Sequence, residues 1–484
     1  MAANPYDYDL LVIGSGPAGQ RAAIQAAKLE KKVAVVERKA VLGGVSVNLG
    51  TIPSKTLREA VLDLSGYRER EFYGASYSVK QNITMADLLL RTDKVIHHEI
   101  EVTRHQLLRN GIDLIAASAS FAGPDTVQLD YVDGSMTRRV KCRNVMIASG
   151  TEVTKNPNIP FDGRCIFTSD DVLYLDRLPK TLAVIGAGVI GCEYASMFAT
   201  LGVRVTLIDQ RPRLLPFVDH EIADAYTYHL RESRVTLRLN ESVHHLETIE
   251  DEHGRRVKIY LDSGKTTVTE KALYSIGRTG ATTRLNLEAA GLAPDDRGRL
   301  TVDSHFQTKV PGIYAVGDVI GFPALASTAM EQGRVAACHA FGVQATSVPD
   351  LFPYGIYSIP EISMVGKNEE ELTQAGIGYE VGKARYKEIA RGQFIGDLTG
   401  LLKLIFRSDT RELMGVHIIG EGASELVHIG QAVLSFGGKI DYFIHTVFNY
   451  PTLAECYKVA AFDGINRLET FQQEELAQPE PTSI

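Results

Sequence analysis

A glycine pattern occurs twice in this chain, each time between an apolar run and a helical one. The first copy is Leu10–Ile13, then Gly14-Ser15-Gly16-Pro17-Ala18-Gly19, then a helical pattern to about Lys28. A second apolar run, Val33–Val36, ends in Glu37. The second copy is Leu182–Ile185, then Gly186-Ala187-Gly188-Val189-Ile190-Gly191, a helix to about Thr200, and Val203–Ile208 ending in Asp209. In both copies the acid lies 23 positions after the first glycine. One such motif is weak evidence; two with the acid in register predict two βαβ dinucleotide folds. The first glycine permits a tight turn, the second lets backbone approach a pyrophosphate, and the third lets helix and strand pack closely. The helix N-terminus offers free N–H groups to the phosphates, and the acid accepts from ribose hydroxyls. Two glycine-rich turns in some other α/β protein are the alternative, and the paired spacing disfavours it.

At 484 residues the chain has room for about three domains. Its 51 basic and 59 acidic side chains give a net charge of −8, so nucleic acid is not an expected partner, although pockets for small phosphates remain open. Met1–Asp9 lacks a basic stretch followed by a long apolar core, and no apolar run is long enough to span a membrane. The five cysteines, Cys142, Cys165, Cys192, Cys338 and Cys456, are scattered without metal-ligand spacing. They read as buried thiols of a cytoplasmic protein. His97-His98 and His244-His245 read as solvated, Arg68–Glu71 as an exposed mixed-charge segment, and no metal is expected.

Between the repeats, Ile83–Arg109 predicts a long helix, and Ile112–Ile147 a β-meander ending at Ala148-Ser149-Gly150. Val235–Leu239, Val257–Leu261 and Ile313–Asp318 predict strands, the last with an acid at its end. After about Ala345, Tyr357–Val365, Tyr379–Ala384 and Leu401–Ile405 predict strands, and Glu425–Ser435 and Leu453–Leu468 helices. The tail Leu476–Ile484 predicts disorder.

With two dinucleotide folds followed by an α+β region, the chain resembles the flavin-dependent pyridine nucleotide–disulfide oxidoreductase superfamily over nearly its whole length. The redox segment of that superfamily reads GGxCxNxGCxPSK. Here Gly43–Lys55 carries Ser46 and Thr51 at the two cysteine positions. Hydroxyls cannot form a disulfide, so dithiol chemistry is excluded at this site. The superfamily's HPTxxE motif is Tyr450-Pro451-Thr452-Leu453-Ala454-Glu455 here, and a tyrosine titrating near ~10 is a poor base at neutral pH. A degraded, inactive paralogue would also lose these residues. It would not keep both fingerprints and the Pro-Ser-Lys segment. The soluble, Si-specific NAD(P)+ transhydrogenases are the branch that this chain resembles in Gly50–Val61, Tyr314–Ser327, Gly355–Ser363 and Phe448–Thr452. Many members of that branch keep a cysteine at the Ser46 position, and this chain does not.

The resemblance implies an α/β fold with two Rossmann-like dinucleotide-binding domains plus a C-terminal α+β dimerisation domain. FAD would occupy 1–150 with 279–345, NAD(P) 151–278, and the dimerisation domain 346–470, followed by a disordered tail at 471–484. Non-covalent FAD would lie on Gly14, Gly16, Gly19 and Glu37, with Arg38, Gly44, Thr51, Ser149, Gly150 and Asp318 around it. The helix starting near Ala326 would aim its N-terminus at the flavin. Lys55 would stand beside the flavin and pair with Glu193, and these two are the candidate catalytic residues. NAD(H) or NADP(H) would lie on Gly186, Gly188, Gly191 and Gly277, with Gly277-Arg278 closing the nucleotide domain against the flavin domain. Asp209 suits the free 2′-hydroxyl of NAD, and Arg211 and Arg213 suit the 2′-phosphate of NADP; an exposed arginine pair is the plain alternative.

The implied activity is hydride transfer between NADPH and NAD+ by a ping-pong cycle through reduced flavin, in a homodimer or larger homo-oligomer. In that dimer Phe448–Glu455 would reach toward the partner's flavin. An NAD(P)H:quinone oxidoreductase or diaphorase, and a non-enzymatic flavin redox sensor, are the competing readings.

Overall fold

A computed structural model describes residues 5–252, 254–345 and 351–477, with side chains in the last helix described to Leu468. The first repeat forms β1 (Tyr8–Ile13), α1 (Pro17–Lys28) and β2 (Val33–Glu37). Helices α2 (Thr51–Ser65) and α3 (Met85–Arg109) follow. Thr84 caps α3 by accepting the Asp87 N–H, while the Asp87 carboxylate accepts the Thr84 N–H, so this helix begins after Ile83.

Strands β3 (Asp113–Gly123), β4 (Thr126–Tyr131) and β5 (Thr137–Ile147) form the expected meander. The outer two are long enough to serve two sheets. Asp113–Ala116 run parallel to β2, and the rest of β3 pairs antiparallel with β4. Asn144–Ile147 of β5 run parallel to β1.

The second repeat contributes β6 (Ile166–Thr168), β7 (Thr181–Ile185), α4 (Val189–Thr200), β8 (Arg204–Asp209), α5 (His220–Glu232), β9 (Thr236–Leu239) and β10 (Lys271–Tyr274). Its strands lie parallel in the order β9-β8-β7-β10-β6. A separate antiparallel meander, Val243–Asp251, Gly254–Leu261 and Thr266–Thr269, covers one face of that sheet. The chain then returns to the first sheet as β11 (Ile313–Ala315), parallel to β5, and continues into α6 (Ala326–Ala340).

Parallel strands covered on both faces are apolar throughout. Leu10 and Val12 of β1 face the alanines Ala22, Ala23 and Ala26 of α1, while Leu11 and Ile13 face the opposite core. The small residues on α1 let α6 approach closely. A Cβ on Gly333 would lie 2.1 Å from the Ala18 carbonyl oxygen.

The C-terminal region is an antiparallel sheet of β12 (Tyr354–Ile356), β13 (Ile362–Gly366), β14 (Tyr379–Arg385), β15 (Leu401–Arg407) and β16 (Leu413–Ile419), in the order β12-β13-β16-β15-β14. Helices α7 (Ala423–Ser435) and α8 (Glu455–Ala477) pack on it.

Two sequence expectations need correction. Tyr357–Val365 is not one strand, because residues 357–361 leave the sheet between β12 and β13. Pro360 has no N–H to donate, and the Tyr357 and Ile359 N–H groups go to Glu193 and Ser196 of α4 instead of a ladder. The last helix starts at Glu455 and runs to Ala477, so residues 471–477 are helical, and 478–484 lie outside the described residues. No described helix is long and apolar enough to cross a membrane.

Candidate functional site

Both glycine loops are built by close backbone contact. A Cβ on Gly14 would lie 2.4 Å from the Ala148 oxygen, and one on Gly186 2.7 Å from the Ser275 oxygen. A Cβ on Gly19 would lie 2.0 Å from Gly14 O, and one on Gly191 1.8 Å from Gly186 O. Gly16 and Gly188 differ: a Cβ there would meet nothing within 4 Å. These two glycines are the N-caps of α1 and α4, and neither helix start carries a side-chain cap. Open space in front of uncapped N–H groups suits a phosphate.

The acids at the strand ends are both buried and are held by different sets of donors. Glu37 accepts from the Ser15 N–H (3.1 Å) and Oγ (2.7 Å) and from the Lys39 N–H (3.0 Å). Asp209 accepts from the Ala187 N–H (2.6 Å) and the Arg211 N–H (2.8 Å), and from Arg211 Nε (2.8 Å) and Nη2 (2.6 Å). Arg213 turns away to Asp224 at 3.1 Å. Both arginines that suit a 2′-phosphate are thus paired in this structure, Arg211 with Asp209 and Arg213 with Asp224.

A cavity of about 710 Å³ starts at the first repeat and ends on α4. Gly14, Gly16, Glu37 and Arg38 line it, together with Gly44, Thr51 and Lys55 and with Ser149, Gly150, Asp318 and Ala326. Gly19 lies behind, in the helix–strand packing. Gly44 is pressed against Gly16, where a Cβ would come within 2.9 Å of the Gly16 Cα. Ser149 Oγ is buried there with no hydrogen-bond partner. Helix α6 also begins at this cavity, after Leu325 and without a side-chain cap. Burial holds the Asp318 carboxyl above the usual carboxylate range, opposed by the Arg278 charge.

Lys55 and Glu193, 138 positions apart in sequence, meet here. Lys55 Nζ lies 2.8 Å from both carboxylate oxygens of Glu193. The Glu193 side chain is 4% exposed and that of Lys55 27%. Tyr357 completes the group in a way the sequence reading missed. Its backbone N–H donates to Glu193 Oε1 at 2.9 Å, and its ring centroid lies 4.9 Å from Lys55 Nζ. The only signal was its place in the Gly355–Ser363 segment, since nothing local marks an aromatic residue for a contact 302 positions away.

Gly186, Gly188, Gly191, Asp209, Arg211, Arg213 and Gly277 do not line this cavity; α4 meets it through Val189, Ile190, Glu193 and Tyr194. Next to Gly277, Arg278 donates to Thr151 Oγ1 (3.0 Å), the Thr151 oxygen (3.1 Å) and Asp170 (2.9 Å). It thereby ties the segment after β10 to the flank of the cavity.

Residues 8–333 match the family described as pyridine nucleotide-disulphide oxidoreductase, and residues 352–461 match its dimerisation domain. The chain belongs to the pyridine nucleotide-disulphide oxidoreductase family. It is 52% identical to the soluble pyridine nucleotide transhydrogenase of Mycobacterium tuberculosis, over 96% of this chain and 99% of that protein. It is 44% identical to the one from Colwellia psychrerythraea, with the same coverage. Among solved structures it is similar to the HOCl-induced flavoprotein disulfide reductase RclA of Escherichia coli, at 26% identity and a TM-score of 0.84, covering 94% of this chain and 99% of that one. It is also similar to LpdA of Mycobacterium tuberculosis, at 27% identity and a TM-score of 0.85, with the same coverage.

Ser46 and Thr51 both line the cavity, and all five cysteines are buried and unpaired elsewhere. Burial pushes the Cys142 and Cys456 thiols up to about 12. Tyr450 is 74% exposed, and Glu455, at the start of α8, has one buried oxygen without a hydrogen-bond partner. His97, His98, His244 and His245 are exposed. Among the described residues, one carboxylate group, Asp219, Glu221 and Glu369, is compact enough to hold a metal, and it encloses the ammonium of buried Lys403 instead.

The cavity fits FAD on its own features. These are the uncapped starts of α1 and α6, open space over Gly16, an acid at the strand end and an orphaned buried hydroxyl at Ser149.

Proposed function

We propose that this protein binds FAD non-covalently in the cavity and transfers hydride between NADPH and NAD+ in a ping-pong cycle, without a redox disulfide. One observation carries the reading: the cavity keeps the Lys55–Glu193 pair and the phosphate-binding backbone, but has Ser46 and Thr51 where a dithiol would be. The names of the relatives support the same reaction. Bound flavin would accept a hydride from one nicotinamide and give it to another.

The chain's own residues supply the rest. The first-repeat loop and Glu37 hold the adenosine half, with Gly44, Thr51, Ser149, Gly150 and Asp318 along the remainder. The N-terminus of α6, at Ala326, would stabilise negative charge on the reduced ring. Lys55 would stand beside the ring, held by Glu193 and the face of Tyr357. Nicotinamide nucleotides would use Gly186, Gly188, Gly191 and Gly277, with Asp209, Arg211 and Arg213 reading the ribose. A single nicotinamide site requires the donor to leave before the acceptor enters. The dimerisation region would pair two copies and bring Tyr450 toward the partner's cavity.

The test is NADPH-driven reduction of thio-NAD+ by purified protein, with initial rates taken at several fixed acceptor concentrations. Parallel lines and resistance to arsenite are expected. Intersecting lines, or arsenite inhibition like that of a dithiol enzyme, would overturn the mechanism. Quinone reduction without transhydrogenation would overturn the substrate assignment.

A further inference from the structure

The two repeats share a backbone design, and two side chains break the likeness: Ser15, whose Oγ donates to Glu37 where Ala187 has no hydroxyl, and Arg211. In each, the residue two positions after the acid donates its N–H to that acid: Lys39 to Glu37 (3.0 Å) and Arg211 to Asp209 (2.8 Å). Lys39 contributes nothing more to Glu37 among the described contacts. Arg211 folds its guanidinium back onto Asp209 through Nε and Nη2.

A carboxylate offers about four acceptor positions. Glu37 has three donors, two from Ser15 and one from Lys39, so it retains one position for a ligand hydroxyl. Asp209 has four donors, one from Ala187 and three from Arg211, and retains none. The Asp209 side chain is 4% exposed, while that of Arg211 is 39% exposed and able to swing out.

We infer that Arg211 is a latch on Asp209 that sets nucleotide choice in the second repeat. This rests on the reading of that repeat as a nicotinamide dinucleotide site. With the latch closed, Asp209 is neutralised and does not repel a 2′-phosphate. A guanidinium has five N–H donors, and the two spent on Asp209 leave three for phosphate oxygens. NADP(H) therefore binds the closed form without breaking the pair. NAD(H) brings a 2′-hydroxyl that needs an acceptor on Asp209, and Arg211 must leave first. Two nucleotides of different charge thus use one site through two positions of one side chain. Burial pushes the Asp209 carboxyl up, and the Arg211 and Ala187 hydrogen bonds outweigh it, so the acid is ionised while the latch is closed.

A plain phosphate-binding arginine and a latch give different signs. Removal of the former weakens NADP+ and leaves NAD+ unchanged. Removal of a latch weakens NADP+ and tightens NAD+, because lone pairs on Asp209 are released. For Arg211→Ala we expect NADP+ binding weaker by at least ~10-fold and NAD+ binding tighter by ~3- to 10-fold. Arg211→Gln serves as a second variant that keeps the side-chain volume and removes the charge.

Calorimetric titration of the oxidised, flavin-loaded protein with NADP+ and with NAD+ reads both constants without turnover. Opposite shifts for the two nucleotides in either variant support the latch. Unchanged NAD+ affinity with weakened NADP+ overturns it, as does equal loss of both nucleotides in both variants. Wild-type protein that binds neither nucleotide overturns the dinucleotide reading of the second repeat, and the latch with it. Loss of transhydrogenation with intact, oppositely shifting binding would count against the proposed reaction and not against the latch.

Discussion

Gly16→Ala and Gly19→Ala add the same methyl group three positions apart in one loop, and they should fail in different ways. Gly16 has φ −67° and ψ 179°, extended backbone that alanine adopts without strain. Its Cβ would project into open space, with nothing within 4 Å. The fold should be untouched. The methyl would occupy the space through which a pyrophosphate reaches the uncapped start of α1. Losing one charge-assisted backbone hydrogen bond costs about 1.5–3 kcal/mol, or roughly 10- to 150-fold in FAD affinity. At Gly19 the methyl would sit 2.0 Å from the Gly14 oxygen, where real contacts are at least 3.0 Å. Helix α1 would have to retreat from β1 by about 1 Å. Overpacking of this kind costs roughly 1–3 kcal/mol or more, before any effect on ligand.

Apoprotein melting by circular dichroism and reconstitution titrated by flavin fluorescence separate the two. Gly16→Ala should melt like wild type and bind FAD poorly. Gly19→Ala should melt early even without FAD. If Gly16→Ala binds FAD with wild-type affinity, the ligand does not approach that loop. If Gly19→Ala melts like Gly16→Ala, the contact with Gly14 is relieved cheaply and the packing argument fails. In the second repeat Gly188→Ala and Gly191→Ala should divide the same way, with nicotinamide nucleotide in place of FAD, since a Cβ at Gly191 would lie 1.8 Å from Gly186 O.

Two further outcomes follow from buried groups. Lys403, 1% exposed, contacts Asp219 (2.8 Å, 0% exposed) and Glu221 (3.2 Å), and also Glu369, joining β15 to α5. Burial pushes the Asp219 carboxyl up, and its surroundings bring it below the usual range. Of those surroundings, His417 is itself kept neutral by burial, which leaves the Lys403 ammonium as the cation that holds Asp219 ionised. Such pairing stabilises the fold above the unfolded carboxyl pKa of about 3.9 and is lost as pH falls through the lower folded value. Lys403→Met should therefore cost about 3–5 kcal/mol at pH 7, seen as a lower melting temperature, with the deficit shrinking below about pH 4 as Asp219 takes a proton. A deficit that does not change with pH would refute the assignment. The five cysteines should be silent toward a thiol-exchange reagent at neutral pH in native protein and all react after denaturation, because each is buried and burial holds the Cys142 and Cys456 thiols up to about 12. A thiol that titrates in the native state would reopen the question of a cysteine near the cavity.

What the sequence determined by itself is the part written in short-range spacing. Strand, glycine loop, helix and terminal acid are contiguous within each repeat, and the third glycine of each loop answers a local contact, Gly19 with Gly14 O and Gly191 with Gly186 O, although Gly14 and Gly186 also answer the distant Ala148 and Ser275. The turn-helix geometry at Gly14–Gly19 and Gly186–Gly191 was therefore legible as local chemistry. So was the absence of thiols at Ser46 and Thr51, which needs only the residue types. Tertiary structure decided what depends on distant partners. The Lys55–Glu193 pair spans 138 positions; the family resemblance named it, but a helical glutamate carries no local sign that it will be buried against a lysine. Residues 357–361 read as strand because their apolar pattern suits a sheet. Only the acceptors on α4, Glu193 and Ser196, draw those N–H groups out of the ladder and set Tyr357 over Lys55. Asp209 and Arg211 are two residues apart, and their identities suggested nucleotide recognition. Their meaning still waited on a rotamer: whether the guanidinium points to solvent or folds onto the acid is settled by the acceptors that the surrounding structure leaves within its reach.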